Sequence, residues 1–334
     1  MIGGLFMINR RILIFALIGI LVLSGITLGK KIFKKDVVEE PAEIEIVSSD
    51  KNIPEVVEED GMRKTVLYFQ DEDGYLVPVM RRIPWEEGIA RSTLNNMVDT
   101  PQLREVLNTT GLLPIIPSGT TINGITIDEA GLCKVDFSEE FLNRDTKKDE
   151  ENLIKGVVYT LTEFPAVKDV QIFVGGAYVD TMKNGTEVAT TLSRENINLL
   201  GSIEDGRSNV MVYYKGSAET DFDYFVPVTI PTLAPMANVY TALDLLFEGP
   251  PSNSELTSDI PTDVNFQGVE IKDGTAYVDI NLGAESLVTR EATLDSVIKN
   301  IGLTLSQFGD INSVEVLVDG EIINTAIPVF ANEY

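Results

Sequence analysis

The stretch VQIFVGG at residues 170–176 returns 144 residues later as VEVLVDG at residues 314–320. Each is a run of β-favouring residues that ends on a turn dipeptide, so each reads as a central strand closing a structural unit. Other residues keep that spacing: Pro117 with Pro261, Gly124 with Gly268, Leu161 with Leu305, Phe164 with Phe308 and, at the start, Val66 with Val210. In between, the spacing rises to 149, where VPV at 77–79 matches VPV at 226–228 and Pro101 matches Pro250. The chain is an internal duplication whose copies differ in two loops. The second copy has the longer hairpin loop before VPV and the shorter connection after its first helix.

Both copies share one order of elements. TVLYF at 65–69 and NVMVYY at 209–214 open hairpins that return through VPV. Ala90, Leu94, Met97 and Val98 have the apolar spacing of an amphipathic helix, repeated by Val239, Leu243, Leu246 and Phe247. Pro101 and Gly249-Pro250 are expected to end these helices. A second hairpin follows at 122–137 and 266–280, the latter turning at Asp273-Gly274. Leu153, Val157, Leu161 and Phe164, matched by Val297, Ile301, Leu305 and Phe308, mark a second helix. The fold class is α+β: two tandem copies of a small mixed-sheet domain with two helices packed on one face. The expected boundaries are 63–182 and 208–334 for the copies, with a linker at 183–207.

Two segments precede the copies. Residues 1–35 hold an uncharged apolar run, 12–29, with Arg10 and Arg11 before it and Lys30, Lys31, Lys34 and Lys35 after it. At 18 residues it is long enough to span a hydrocarbon core, and reads as a retained anchor, with a cleaved signal peptide as the competing reading. The lysine excess after the run favours the orientation that leaves the copies inside. Residues 36–62 carry ten acids, one lysine and two prolines and read as a solvated acidic tether.

Composition excludes whole classes of function. The chain has 26 basic and 52 acidic residues, so it lacks the surplus of cations that nucleic-acid binding needs. It contains no histidine, which removes imidazole bases and imidazole metal ligands. Cys133, the single cysteine, alternates with Val135 and Phe137 and has Ala276 as its counterpart, so it reads as a small core residue and allows no intramolecular disulfide. Asp136 and Asp279 occupy matching positions on the opposite strand faces. Paired carboxylates can hydrolyse glycosides, but these two belong to separate repeats, and structural hydrogen bonding is expected instead. DEDG at 71–74 lacks the ligand spacing of a calcium loop and reads as a solvated hairpin tip, while Gly175-Gly176 and Asp319-Gly320 read as turns. No catalytic, cofactor-binding or metal-binding residue is assigned, and no cofactor is expected.

The order strand, VPV, helix, paired strands with V-D-[FI], helix and terminal V-x-[VI]-x-V-x-G resembles the family of GerM-like sporulation and spore germination proteins, which carry tandem GerMN domains. The likeness covers about residues 64–328. It implies a fold similar to the ring-building motifs of spore-channel and secretion-system proteins. It further implies a non-catalytic interaction module of a spore-forming bacterium, anchored by its N-terminus in the cell membrane with its domains outside the cytoplasm, between mother cell and forespore. The partners implied are cell-envelope or sporulation channel proteins, self-assembly included, with the alternative of a peptidoglycan-acting enzyme that uses acidic residues. On orientation the resemblance overrules the lysine count. The sequence departs from the family where a lipid-bearing cysteine would follow the apolar run.

Overall fold

β-Branched and aromatic residues form β1 (Met62–Gln70), which pairs antiparallel with β2 (Leu76–Pro84). In this computed structural model the described residues are 61–84, 88–216, 220, 222–326 and 332–333. The anchor at 1–35 and the tether at 36–62, apart from its last two residues, lie outside the described residues. After the hairpin come α1 (Ile89–Asn95), α2 (Pro101–Leu107), β3 (Ile122–Ile127), β4 (Leu132–Phe137), α3 (Lys147–Leu161), β5 (Asp169–Val174) and β6 (Ala177–Tyr178). β3 to β6 form one mixed sheet in that order, with β4 and β5 parallel and the outer pairs antiparallel.

The second copy repeats this plan with β7 (Ser208–Lys215), β8 (Phe225–Thr232), α4 (Val239–Glu248), β9 (Val264–Lys272), β10 (Thr275–Leu282), α5 (Ala284–Val288), α6 (Arg290–Leu305), β11 (Ser313–Val318) and β12 (Glu321–Ala326). β9 to β12 form its mixed sheet, again with a parallel central pair. A last strand, β13 (Asn332–Glu333), leaves this copy and joins β2 of the first. In each copy the opening hairpin is a separate ladder from the mixed sheet, and the long helix packs on both: α3 on β1 and β5, α6 on β7, β11 and β12.

The two quoted strands do lie centrally, but burial alternates along both, so only one face meets the core. Val170 and Ile172, like Val314 and Val316, are fully buried there. The turns that follow use the left-handed backbone that glycine, asparagine and aspartate tolerate, with φ of 60° and 77° at Gly175 and Gly176, and 53° and 81° at Asp319 and Gly320. A bulge recurs at matching places, beside Gly124 in β3 and opposite Asp279 in β9.

Two expectations need correction. Val66 and Val210 are not equivalent. Tyr68 lies opposite Pro78 and Tyr213 opposite Pro227, and both tyrosine N–H groups donate to a threonine at 3.3 Å, Thr160 and Thr304, so β1 and β7 superpose at a spacing of 145. Pro101 does not end the first helix, which stops at Asn95. It starts α2, where a missing N–H costs nothing, and Thr100 caps that helix by accepting from Leu103 N–H at 3.1 Å. Met97 and Val98 are buried from the turn that follows α1.

The helix faces otherwise hold. Leu94, Leu153, Val157 and Leu161 are fully buried, as are Leu243, Val297, Ile301 and Leu305. The two cores are not separate, because their buried side chains form one continuous cluster. Met182 at the end of the first copy and Val188 and Ile197 of the linker are part of it.

Candidate functional site

The residues singled out in the sequence fall in different places. Cys133 is fully buried on β4, where burial pushes its thiol up to about 12, and Ala276 is equally buried on β10. Asp136, on the other face of β4, accepts the Gly176 N–H at 2.8 Å and so fixes the β5–β6 turn. Asp279 does not repeat this, since its Oδ1 is buried without a hydrogen-bond partner. The two carboxylates stand in different sheets, and among the described residues no three acidic or cysteine side chains converge as a metal site would require.

DEDG is only partly the solvated tip expected. Glu72 and Asp73 are exposed, but Asp71 is 1% exposed. Its Oδ1 accepts the N–H groups of Asp73 at 3.1 Å and Tyr75 at 2.8 Å, and its Oδ2 accepts the Tyr224 hydroxyl of the second copy at 3.3 Å. Tyr75 returns the contact by donating to Ser254 O at 2.6 Å. Burial against the second copy outweighs these hydrogen bonds and raises the Asp71 pKa to about 6. The tip is therefore part of a seam between the copies.

That seam is built twice by the same device. After the first copy the chain crosses to β8, where Thr229 N–H donates to Ile197 O and Leu200 N–H to Thr229 O. After the second copy β13 crosses to β2, pairing Asn332 with Val79. Each crossing segment carries one buried asparagine. Asn198 Oδ1 accepts Leu76 N–H, while its Nδ2 donates to Leu76 O and Pro227 O, all at 2.8 Å. Asn332 Oδ1 accepts Phe225 N–H at 2.6 Å, while its Nδ2 donates to Phe225 O at 2.9 Å and Pro78 O at 2.8 Å. Leu76 and Phe225 are equivalent positions, as are Pro78 and Pro227, so the contacts are related by a pseudo-twofold exchange.

The VPV prolines account for the asparagines. A proline has no N–H, so a strand carrying it cannot complete a ladder on both edges, and its neighbouring carbonyls need other donors. The two amide side chains supply them. Beside the seam Arg194 pairs with Glu163, donates to Thr162 Oγ1 at 2.8 Å and lies 4.9 Å above the Tyr159 ring, and the Tyr68 hydroxyl donates to Glu163 at 3.1 Å. Away from it, a groove of about 500 Å³ runs between α3 and the segment 185–195. Lys155 lines it and donates to Asn196 O at 3.1 Å.

This geometry is suited to holding two copies at a fixed spacing. Comparison with known proteins agrees with the duplication. A family model described as "Germane: Sporulation and spore germination" matches residues 66–180 and again 211–324. The spore germination protein GerM of Bacillus subtilis (strain 168) is 32% identical over 269 residues, which is 77% of this chain and 72% of that protein. The solved tandem GerMN domains of the sporulation protein GerM from Bacillus subtilis superpose with a TM-score of 0.68 at 28% identity, covering 81% of this chain and 99% of that one.

Proposed function

The chain belongs to the Germane family and has a sporulation-related role, and we propose that it fills that role as a non-catalytic interaction module held at the cell envelope. In this reading residues 1–35 anchor it in the cytoplasmic membrane, the acidic segment 36–62 spaces it from the surface, and the two copies lie outside, between mother cell and forespore. Its partners are envelope or sporulation channel proteins, further copies of the chain among them.

The observation that carries the reading is the double asparagine seam. Asn198 and Asn332 each make three hydrogen bonds that are shared between β2 of the first copy and β8 of the second, and the cores behind them are continuous. Buried polar side chains are thus committed to coupling two domains, and none of the carboxylates singled out above faces another across a cleft. A scaffold that presents two related faces at one distance is what a bridging protein requires.

The test is affinity capture of the full-length chain from cross-linked cells, sporulating and vegetative. Recovery of the same envelope proteins only from sporulating cells is expected. Release of soluble fragments from purified peptidoglycan by the chain alone would replace this reading with that of a wall-acting enzyme.

A further inference from the structure

The copies differ on the outer face of their first helix. In the first copy that face is closed. Arg91 donates to Ile122 O at 2.6 Å, Val98 is 8% exposed, and Asp99 is held by Arg104 of α2 through two bonds of 2.5 and 2.6 Å. The connection that does this, residues 96–121, is replaced in the second copy by the shorter 249–263, which has no helix. At the positions of Arg91, Val98 and Ile122 stand Tyr240, Phe247 and Phe266. The Phe266 ring centre lies 5.3 Å from that of Tyr240 and 5.6 Å from that of Phe247. Tyr240 is 55% exposed, and in the loop before α4 Met236 is 69% exposed and Leu233 is 77% exposed.

We propose that this face of the second copy, α4 with the loop before it, docks a protein segment that presents an apolar side chain beside lysine or arginine. Contiguous exposed apolar side chains on a soluble domain mark interaction sites, and charge selects the partner. Residues 233–271 contain six acidic residues and no lysine or arginine. Two of the acids, Asp244 and Glu248, are exposed one and two turns beyond Tyr240 on the same side of α4. A second copy of this chain is a poor occupant, because residues 63–334 carry 19 basic and 42 acidic side chains. An anionic bilayer is repelled for the same reason, whereas a cationic protein segment is attracted. The inference rests on the reading of the chain as an interaction module and names the chemistry of what that module meets.

The test titrates a helical leucine/lysine peptide, and a leucine/glutamate peptide of equal length, into the full-length chain at low and moderate salt. Tyr240→Ala is expected to weaken the leucine/lysine peptide about tenfold. Met236→Ser, at a more exposed position that does not support the fold, is expected to weaken it several-fold. Asp244→Asn with Glu248→Gln is expected to flatten the salt dependence, while Glu105→Gln with Glu129→Gln, exposed acids of the first copy, leaves binding within about twofold. The proposal is overturned if the peptide does not bind, or binds Tyr240→Ala and Met236→Ser as it binds the natural chain. It is also overturned if the first-copy pair weakens binding equally, if the glutamate peptide binds as tightly, or if only phosphatidylglycerol vesicles respond to Tyr240→Ala. An envelope protein captured equally by the natural chain and Tyr240→Ala would overturn this face alone and leave the module reading intact.

Discussion

The Tyr224 hydroxyl of the second copy donates at 3.3 Å to Oδ2 of Asp71, at the hairpin tip of the first. A carboxyl buried there holds its proton more tightly than in the unfolded chain, with a pKa of about 6 against 3.8. The folded state therefore gains stability from this group below about pH 4 and loses it as pH rises to about 6. Between those values the natural chain is expected to lose about 2–3 kcal/mol relative to Asp71→Asn. Urea unfolding of both proteins across pH 4–7 measures it, and parallel pH profiles would remove Asp71 as the cause.

Asn198 and Asn332 should be comparable in weight. Replacing either by Ala strands one buried N–H and two carbonyls, a loss of about 2–4 kcal/mol at each site in denaturant unfolding. Asn198 also has a φ of 45°, so Asn198→Gly separates backbone strain from lost hydrogen bonds. A loss below about half a kcal/mol for both alanine variants would show that the seam is incidental.

Leu161→Ala and Leu305→Ala each empty a fully buried site in the long helix of a copy. The expected cost is about 2–5 kcal/mol each. Because the core is continuous, both variants are expected to unfold in a single transition. Two separated transitions would show that the copies melt independently.

Cys133 is expected to resist a maleimide reagent at pH 8 for as long as the chain stays folded, since its thiol is fully buried with its pKa pushed up to about 12. Its labelling rate should rise in step with urea unfolding. Fast labelling without denaturant would mean that the β4 face opens locally.

Protease added to intact protoplasts is expected to remove everything beyond residue 35. Survival of the full-length chain would place the copies inside, as the four lysines after the apolar run favour.

What was legible in the sequence follows from where the pattern carried phase. VQIFV and VEVLV end on turns whose chemistry is local, and the long helices have one apolar stripe, so both were readable and the fold class with them. The register of β1 was not. Residues 65–69 are all buried, and a strand covered on both faces loses the alternation that distinguishes one register from its neighbour. The family match, starting at 66 and 211, carries the same spacing of 145 as the structure. Asn198 and Asn332 left no sign at all. They lie 134 residues apart, outside the repeat spacing, and a single asparagine carries no periodic signal of a buried role. The exposed Tyr240 face was hidden because Tyr240 lies beside the buried stripe of Val239, Leu243 and Leu246, and only the shorter connection of the second copy leaves it uncovered.

β1 and β13 flank the same strand, β2, so the first and last described strands lie about 10 Å apart. In topological terms the span from β1 to β13 is nearly a circle, closed by pairing instead of by a bond. Shortening it from the C-terminus through Asn332 strips an edge from the N-terminal hairpin and, with it, the hydrogen bonds that tie that edge to Phe225 of β8. The last described strand is a structural part of the hairpin that opens the first copy.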